Sequence, residues 1–144
     1  LGQGPHLANW FGHSSYGVWS VDRLFTTADA LALGNRGRPF VVTQWGCWNT
    51  YHVHPAYDTL GHALLLSADR GAAAVIGPAT LTDADVDRKL GELLLPRLTQ
   101  PGMTLGKALN EAKRQLAASH PEALDVLLGT TLLGDPTLTL PVPK

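Results

Sequence analysis

The spacing of apolar positions changes along the chain, and each change marks an element. Residues 6–12 (HLANWFG) and 40–45 (FVVTQW) are short runs rich in apolar, aromatic and β-branched residues, and both predict strands. The second is almost continuously apolar, as suits a strand buried on both faces. Residues 72–77 (AAAVIG) predict another buried strand. Between the strands the period lengthens to that of helices. Residues 22–33 predict one or two short helices, with Thr26 or Thr27 as cap and Gly34-Asn35 as stop. Residues 35–39 (NRGRP) form a turn, and residues 48–56 a loop ending at Pro55. Residues 57–68 place Leu60, Leu64 and Leu65 on one helical face, closed by Asp69-Arg70-Gly71. Thr82 is expected to cap a helix carrying Val86, Leu90, Leu93, Leu94 and Leu98. Thr104 is expected to cap the next, with Leu105, Ala108, Leu109, Ala112 and Leu116 on one stripe. Residues 132–136 (LLGDP) predict a loop and 137–140 a last strand.

Strands alternating with helices imply an α/β layered fold with a largely parallel sheet. Three or four strands are few for such a sheet, so further strands are expected before Leu1. Residues 1–140 then form part of one domain, and 141–144 (PVPK) a tail or linker. The 144-residue length fits a single domain. Charged residues are 16% and net charge is −1, which argues against nucleic acid or an anionic membrane held by bulk charge. The longest apolar runs are far below the roughly 20 residues of a membrane span. The chain opens at Leu1, with no basic segment followed by an apolar one. It reads as a piece whose upstream part was removed or belongs to a longer protein.

The informative pair is Gly12-His13-Ser14 and Gly46-Cys47-Trp48. Each follows an expected buried strand, and in parallel α/β sheets the loops at the carboxyl ends of strands form the crevice. If the strands are neighbours, His13 and Cys47 reach one edge. A thiol needs a nearby base or cation to act as a nucleophile, and a histidine supplies it. The same residues also suit a small buried thiol and a loop histidine. His52 and His54 lie two apart and, with Cys47 or His62, offer zinc-type donors, but a second close ligand pair is lacking. Asp83, Asp85 and Asp87 mimic a calcium loop. Arg88 stands where Gly is needed and Leu94 where Glu is needed, so they read as first-turn acids favouring the helix dipole. There is no phosphate loop or GxGxxG, and Ser14 and Ser15 sit in no GxSxG elbow. Trp10, Trp19, Trp45 and Trp48 cluster around both loops, as pocket wall or as core.

Taken together, FGHSSYGVW (11–19), PFVVTQWGC (39–47), DTLGHALLL (58–66), GAAAVIG (71–77), LGKALNEAK (105–113) and LLGDPTLTL (132–140) resemble, in order and spacing, the gingipain-type cysteine peptidases. That resemblance implies a three-layer caspase-like fold, with a mostly parallel sheet flanked by helices, of which this chain is the C-terminal part. It matches His13 to the catalytic histidine and Cys47 to the nucleophile. It assigns an oxyanion role to the backbone around Gly12, Ser14 and Gly46. Trp48 and Tyr51 would line the pocket for the residue before the cut, with Asp58 the nearby carboxylate for Arg or Lys. The implied activity is endopeptidase cleavage through a thioester, without metal or cofactor, in a secreted or cell-surface protein. Partners would be a peptide substrate and the N-terminal part of the same domain, or a second copy at an open sheet edge. Three departures stand out. Gly-His-Gly has become Gly12-His13-Ser14, a helix Glu has become His62, and the caspase QACxG is unmatched. The first two keep a catalytically inactive scaffold or processing module of a larger protein as an alternative.

Overall fold

Residues 1–53, 55–56 and 58–141 are described by the computed structural model. The first strand, β1 (Leu7–Phe11), leads into three two-residue strands: β2 (Ser14–Ser15), β3 (Val18–Trp19) and β4 (Phe25–Thr26). Then come α1 (Thr27–Leu31), β5 (Phe40–Trp45), α2 (Leu60–Leu65) and β6 (Ala72–Pro78). Two long helices, α3 (Ala84–Leu98) and α4 (Leu105–Ser119), precede a short one, α5 (Leu124–Gly129), and a closing strand, β7 (Thr130–Gly134).

The main sheet has the order β1-β5-β6-β7. β1 and β6 both run parallel to β5, and β7 is antiparallel to β6. All six residues of β5 are buried, the polar Thr43 and Gln44 included, as suits a strand covered on both faces. Alternate residues serve opposite faces. Phe40, Val42 and Val75 pack with Ala30 of α1 and with Leu60 and Leu64 of α2. Val41, Trp45, Ala74 and Ile76 pack with Leu90, Leu94 and Leu98 of α3 and with Leu105, Ala108, Ala112 and Leu116 of α4. The result is three layers with the sheet in the middle.

Helix starts follow from side-chain caps. Thr26 and Asp29 form a reciprocal capping box at α1, and Thr59 and Thr104 accept N–H bonds at α2 and α4. At α3 the cap is Asp83, whose carboxylate accepts from the Asp85 and Val86 amides, and not Thr82. The expected 57–68 helix is confined to Leu60–Leu65; Ala68 and Gly71 take positive φ just beyond it. The stretch read as a loop at 132–136 belongs largely to β7, which pairs along β6. The strand expected at 137–140 is reduced to a single bridge between Thr139 and Thr104. Tyr57, His54 and the tail residues 142–144, all part of the sequence expectations, lie outside the described residues.

Candidate active site

The parallel register sets Phe11 opposite Trp45, so Gly12-His13 and Gly46-Cys47 leave the same sheet edge side by side. The Gly12 N–H continues the ladder by donating to the Trp45 carbonyl at 3.0 Å. The loops then come closer than any side chain permits. A Cβ on Gly46 would lie 2.2 Å from the Gly12 carbonyl oxygen and 2.5 Å from Ser14 Oγ. Glycine at 46 is therefore a steric requirement of this approach.

Ser14 bridges the two loops, because its hydroxyl donates to the Cys47 carbonyl at 2.9 Å. The Ser20 N–H donates to the His13 carbonyl at 2.8 Å, tying the histidine loop to the small sheet β2-β3-β4. The buried Trp19 indole donates to Gln44 Oε1 at 2.6 Å and to Asn49 Oδ1 at 3.1 Å. The Asn49 side-chain amide donates to the Ser15 carbonyl at 2.9 Å and the Cys47 carbonyl at 3.3 Å. Trp10 stacks on Trp19, with ring centroids 5.1 Å apart. These bonds tie the histidine loop and the cysteine loop to each other, which preorganises a site built from both.

His13 and Cys47 line one cavity of about 290 Å³, together with Phe11, Trp45, Thr82 and Asp87. His13 is exposed and Cys47 is a half-buried free thiol, its Sγ 4.0 Å from the Thr82 carbonyl. Asp87 is the residue the sequence pattern did not place here. It is only 2% exposed, and Oδ2 accepts from Thr82 Oγ1 at 2.6 Å. Its other oxygen, Oδ1, has no hydrogen-bond partner among the described residues. Burial pushes its pKa up to about 6, against the lowering effect of the Thr82 bond; the charges of Asp125 and Asp83 push it further up. The cavity lined by the thiol and the histidine thus also holds a buried carboxylate with one unpaired oxygen. A signal for it exists in the sequence: Asp87 lies three and seven positions before Leu90 and Leu94, on the stripe that α3 buries.

The other expected pocket residues lie elsewhere. Trp48, at φ +67°, turns its ring against Tyr16 and Tyr51, with centroids 5.5 and 5.2 Å away. Neither Trp48 nor Tyr51 is among the described residues lining the cavity. Asp58 lines a separate hollow with His62, Thr27 and Leu31. His52 Nδ1 lies 2.9 Å from the Thr50 carbonyl oxygen, at hydrogen-bond distance. Among the described residues, no group of three or more His, Cys, Asp or Glu comes together to hold a metal.

The fold is shared with solved gingipain structures. A complex of Porphyromonas gingivalis RgpB pro- and mature domains superposes with a TM-score of 0.84, at 20% identity, over 96% of this chain and 35% of that one. The crystal structure of the Arg-specific cysteine proteinase gingipain R gives 0.77, at 20% identity, over 96% and 34%. A further structure, described simply as a protease, gives 0.76 at 19% identity, over 96% and 36%. The chain thus spans about a third of the length of these relatives. Its own sequence carries the narrower assignment. The model of peptidase family C25 matches residues 1–141, and the chain belongs to that family, the gingipain-type cysteine peptidases. No curated protein sequence matches it significantly.

Proposed function

We propose that this chain supplies the nucleophile and the general acid of a cysteine endopeptidase that cuts after a cationic residue. The observation that carries this is the cavity lined by Cys47, His13 and Asp87, whose buried Oδ1 lacks a hydrogen-bond partner among the described residues. Cys47, as thiolate, attacks the scissile carbonyl carbon. Collapse of the tetrahedral adduct breaks the C–N bond as His13 gives a proton to the leaving amine, leaving a thioester. Water, losing a proton to His13, attacks the thioester and releases the acid, which leaves Cys47 as thiolate and His13 protonated for the next cycle.

The developing oxyanion is assigned to main-chain N–H groups of the two loops. The Gly12 N–H is already committed to the Trp45 carbonyl. Gly12 therefore serves to hold the loops in place, and the backbone at Ser14 and Gly46 keeps its assignment to the oxyanion. The guanidinium or ammonium of an Arg or Lys substrate would give Asp87 Oδ1 its missing partner and favour the ionised carboxylate. Asp87 replaces Asp58 as the candidate for that recognition. The Ser14–Cys47 bond favours this reading over an inactive scaffold, because the departure from Gly-His-Gly supports the cysteine loop. Secretion or surface display is carried over from the family; among the described residues no helix is long and apolar enough to cross a membrane.

The test uses the complete polypeptide that carries these residues, assayed on peptides with Arg, Lys or norleucine before the cut. Cys47→Ala is expected to abolish cleavage, and His13→Ala to slow it by about 10²–10⁴-fold. Undiminished cleavage in Cys47→Ala would overturn the proposal.

A further inference from the structure

His13 stands between two hollows. One is the cavity of Cys47 and Asp87. The second, of about 300 Å³, is lined by His13, Ser14, Ser15, Val18, Ser20 and Val21. Among the described residues, His13 alone is common to the two linings. The second hollow owes its shape to the small sheet. β2 and β3 pair antiparallel, and the following turn takes positive φ at Ser20 and Arg23, with the Arg23 N–H donating to the Ser20 carbonyl at 3.1 Å. That turn leaves Val21 87% exposed.

The chemistry of the lining is distinctive. Apart from His13, none of its described residues carries an ionisable side chain. Two of its hydroxyls are engaged: Ser14 donates to the Cys47 carbonyl, and Ser20 Oγ accepts from the Asp22 N–H at 3.2 Å. The walls that remain are chiefly the methyl groups of Val18 and Val21.

The reaction orients a substrate across His13. The acyl half of the peptide attaches to Cys47, and the departing amine takes its proton from His13. The residue after the broken bond therefore lies beside His13 on the side away from the nucleophile. We infer that the second hollow receives the side chain following the scissile bond, and that it selects an uncharged aliphatic one. Val21 is its specificity-determining residue. This inference rests on the assignment of Cys47 and His13 as the reacting pair.

The experiment compares substrates identical up to the cut in the complete polypeptide. One ends in an aminomethylcoumarin amide, with no residue after the bond; quenched peptides continue with Leu, Glu or Lys. Relative to the coumarin amide, the Leu peptide is expected to be cleaved about tenfold faster than the Glu or Lys peptide. Val21→Glu is expected to shift the Lys-to-Leu ratio upward by about tenfold, and Val21→Lys to do the same for Glu-to-Leu. Ratios that stay put in both variants, while Cys47-dependent cleavage of the coumarin amide continues, overturn the subsite alone. Cleavage of the coumarin amide that survives Cys47→Ala overturns the catalytic assignment and this inference with it.

Discussion

At Gly46 the backbone of the cysteine loop touches that of the histidine loop, and the absence of a Cβ is what allows it. Gly46→Ala must push apart backbone rather than a flexible side chain, and overpacking of that kind costs about 1–3 kcal/mol. A lowered urea midpoint is expected, together with a larger loss of cleavage because Cys47 follows directly. An unchanged midpoint and rate would show that the loops move apart freely. Asp87 gives a pH prediction with a definite sign. Its folded value of about 6 lies above the ordinary 3.8, so the fold favours the protonated form. That contribution is complete below about pH 4 and is lost as pH rises through about 6, a swing of about 3 kcal/mol. Asp87→Asn is therefore expected to match the parent's stability at pH 4 and exceed it at pH 8, as read from urea unfolding at both. A difference of equal size at both values would contradict this. Local sequence pattern makes Asp87 a helix-dipole acid like its neighbours Asp83 and Asp85. What sets it apart is tertiary: its position on the buried stripe of α3, next to the end of β5.

Among the elements, β1 and β5 matter most, because their register aligns the two loops. A part-buried polar contact, with Asn9 itself exposed, supports that register. Asn9 Oδ1 accepts from Thr43 Oγ1 and from Trp45 Nε1, both at 2.7 Å. Asn9→Ala removes this acceptor from both donors; because Asn9 is exposed, water takes its place, and a net loss of about 0.5–1.5 kcal/mol per bond is expected. Asn9→Asp, which keeps the acceptor, should recover most of it in the same denaturation assay, and equal losses in the two variants would contradict this role. The strands β5 and β6 were legible because apolar runs announce buried parallel strands; β1 was legible as a strand, but it is half-buried to exposed rather than buried, because it lies at the edge of the sheet. Other elements were not. The two-residue strands of the small sheet are too short to show a period, although they hold the histidine loop. β7 was hidden because Gly134-Asp135-Pro136 drew the reading towards a turn, while Thr130–Leu133 were already pairing with β6. α5 has no side-chain cap and leaves Leu124 and Leu128 exposed, so neither cap nor stripe betrays it.

On the scale of the whole molecule, three layers place the cavity at the carboxyl ends of β1 and β5, where a parallel α/β sheet concentrates its chemistry. Among the described residues, β1 pairs only with β5 and β7 only with β6, so both edges of the main sheet are open. An open edge leaves backbone N–H and C=O groups to which a further strand can pair. The family was legible from an ordered set of motifs, each weak alone. The lining of the cavity was not, since residues 82–87 reach Cys47 only through the packing of α3 on the sheet. In the proposed function one cavity joins a reactive Cys47 to a charge-selective Asp87. Peptidyl chloromethyl ketones ending in Arg, Lys or norleucine test it directly in the complete polypeptide, with the labelled residue mapped by mass spectrometry. A single label on Cys47, formed faster with Arg or Lys and evened out by Asp87→Asn, is the predicted result. Absence of label on Cys47, or equal rates for all three ketones in the parent protein, would contradict it.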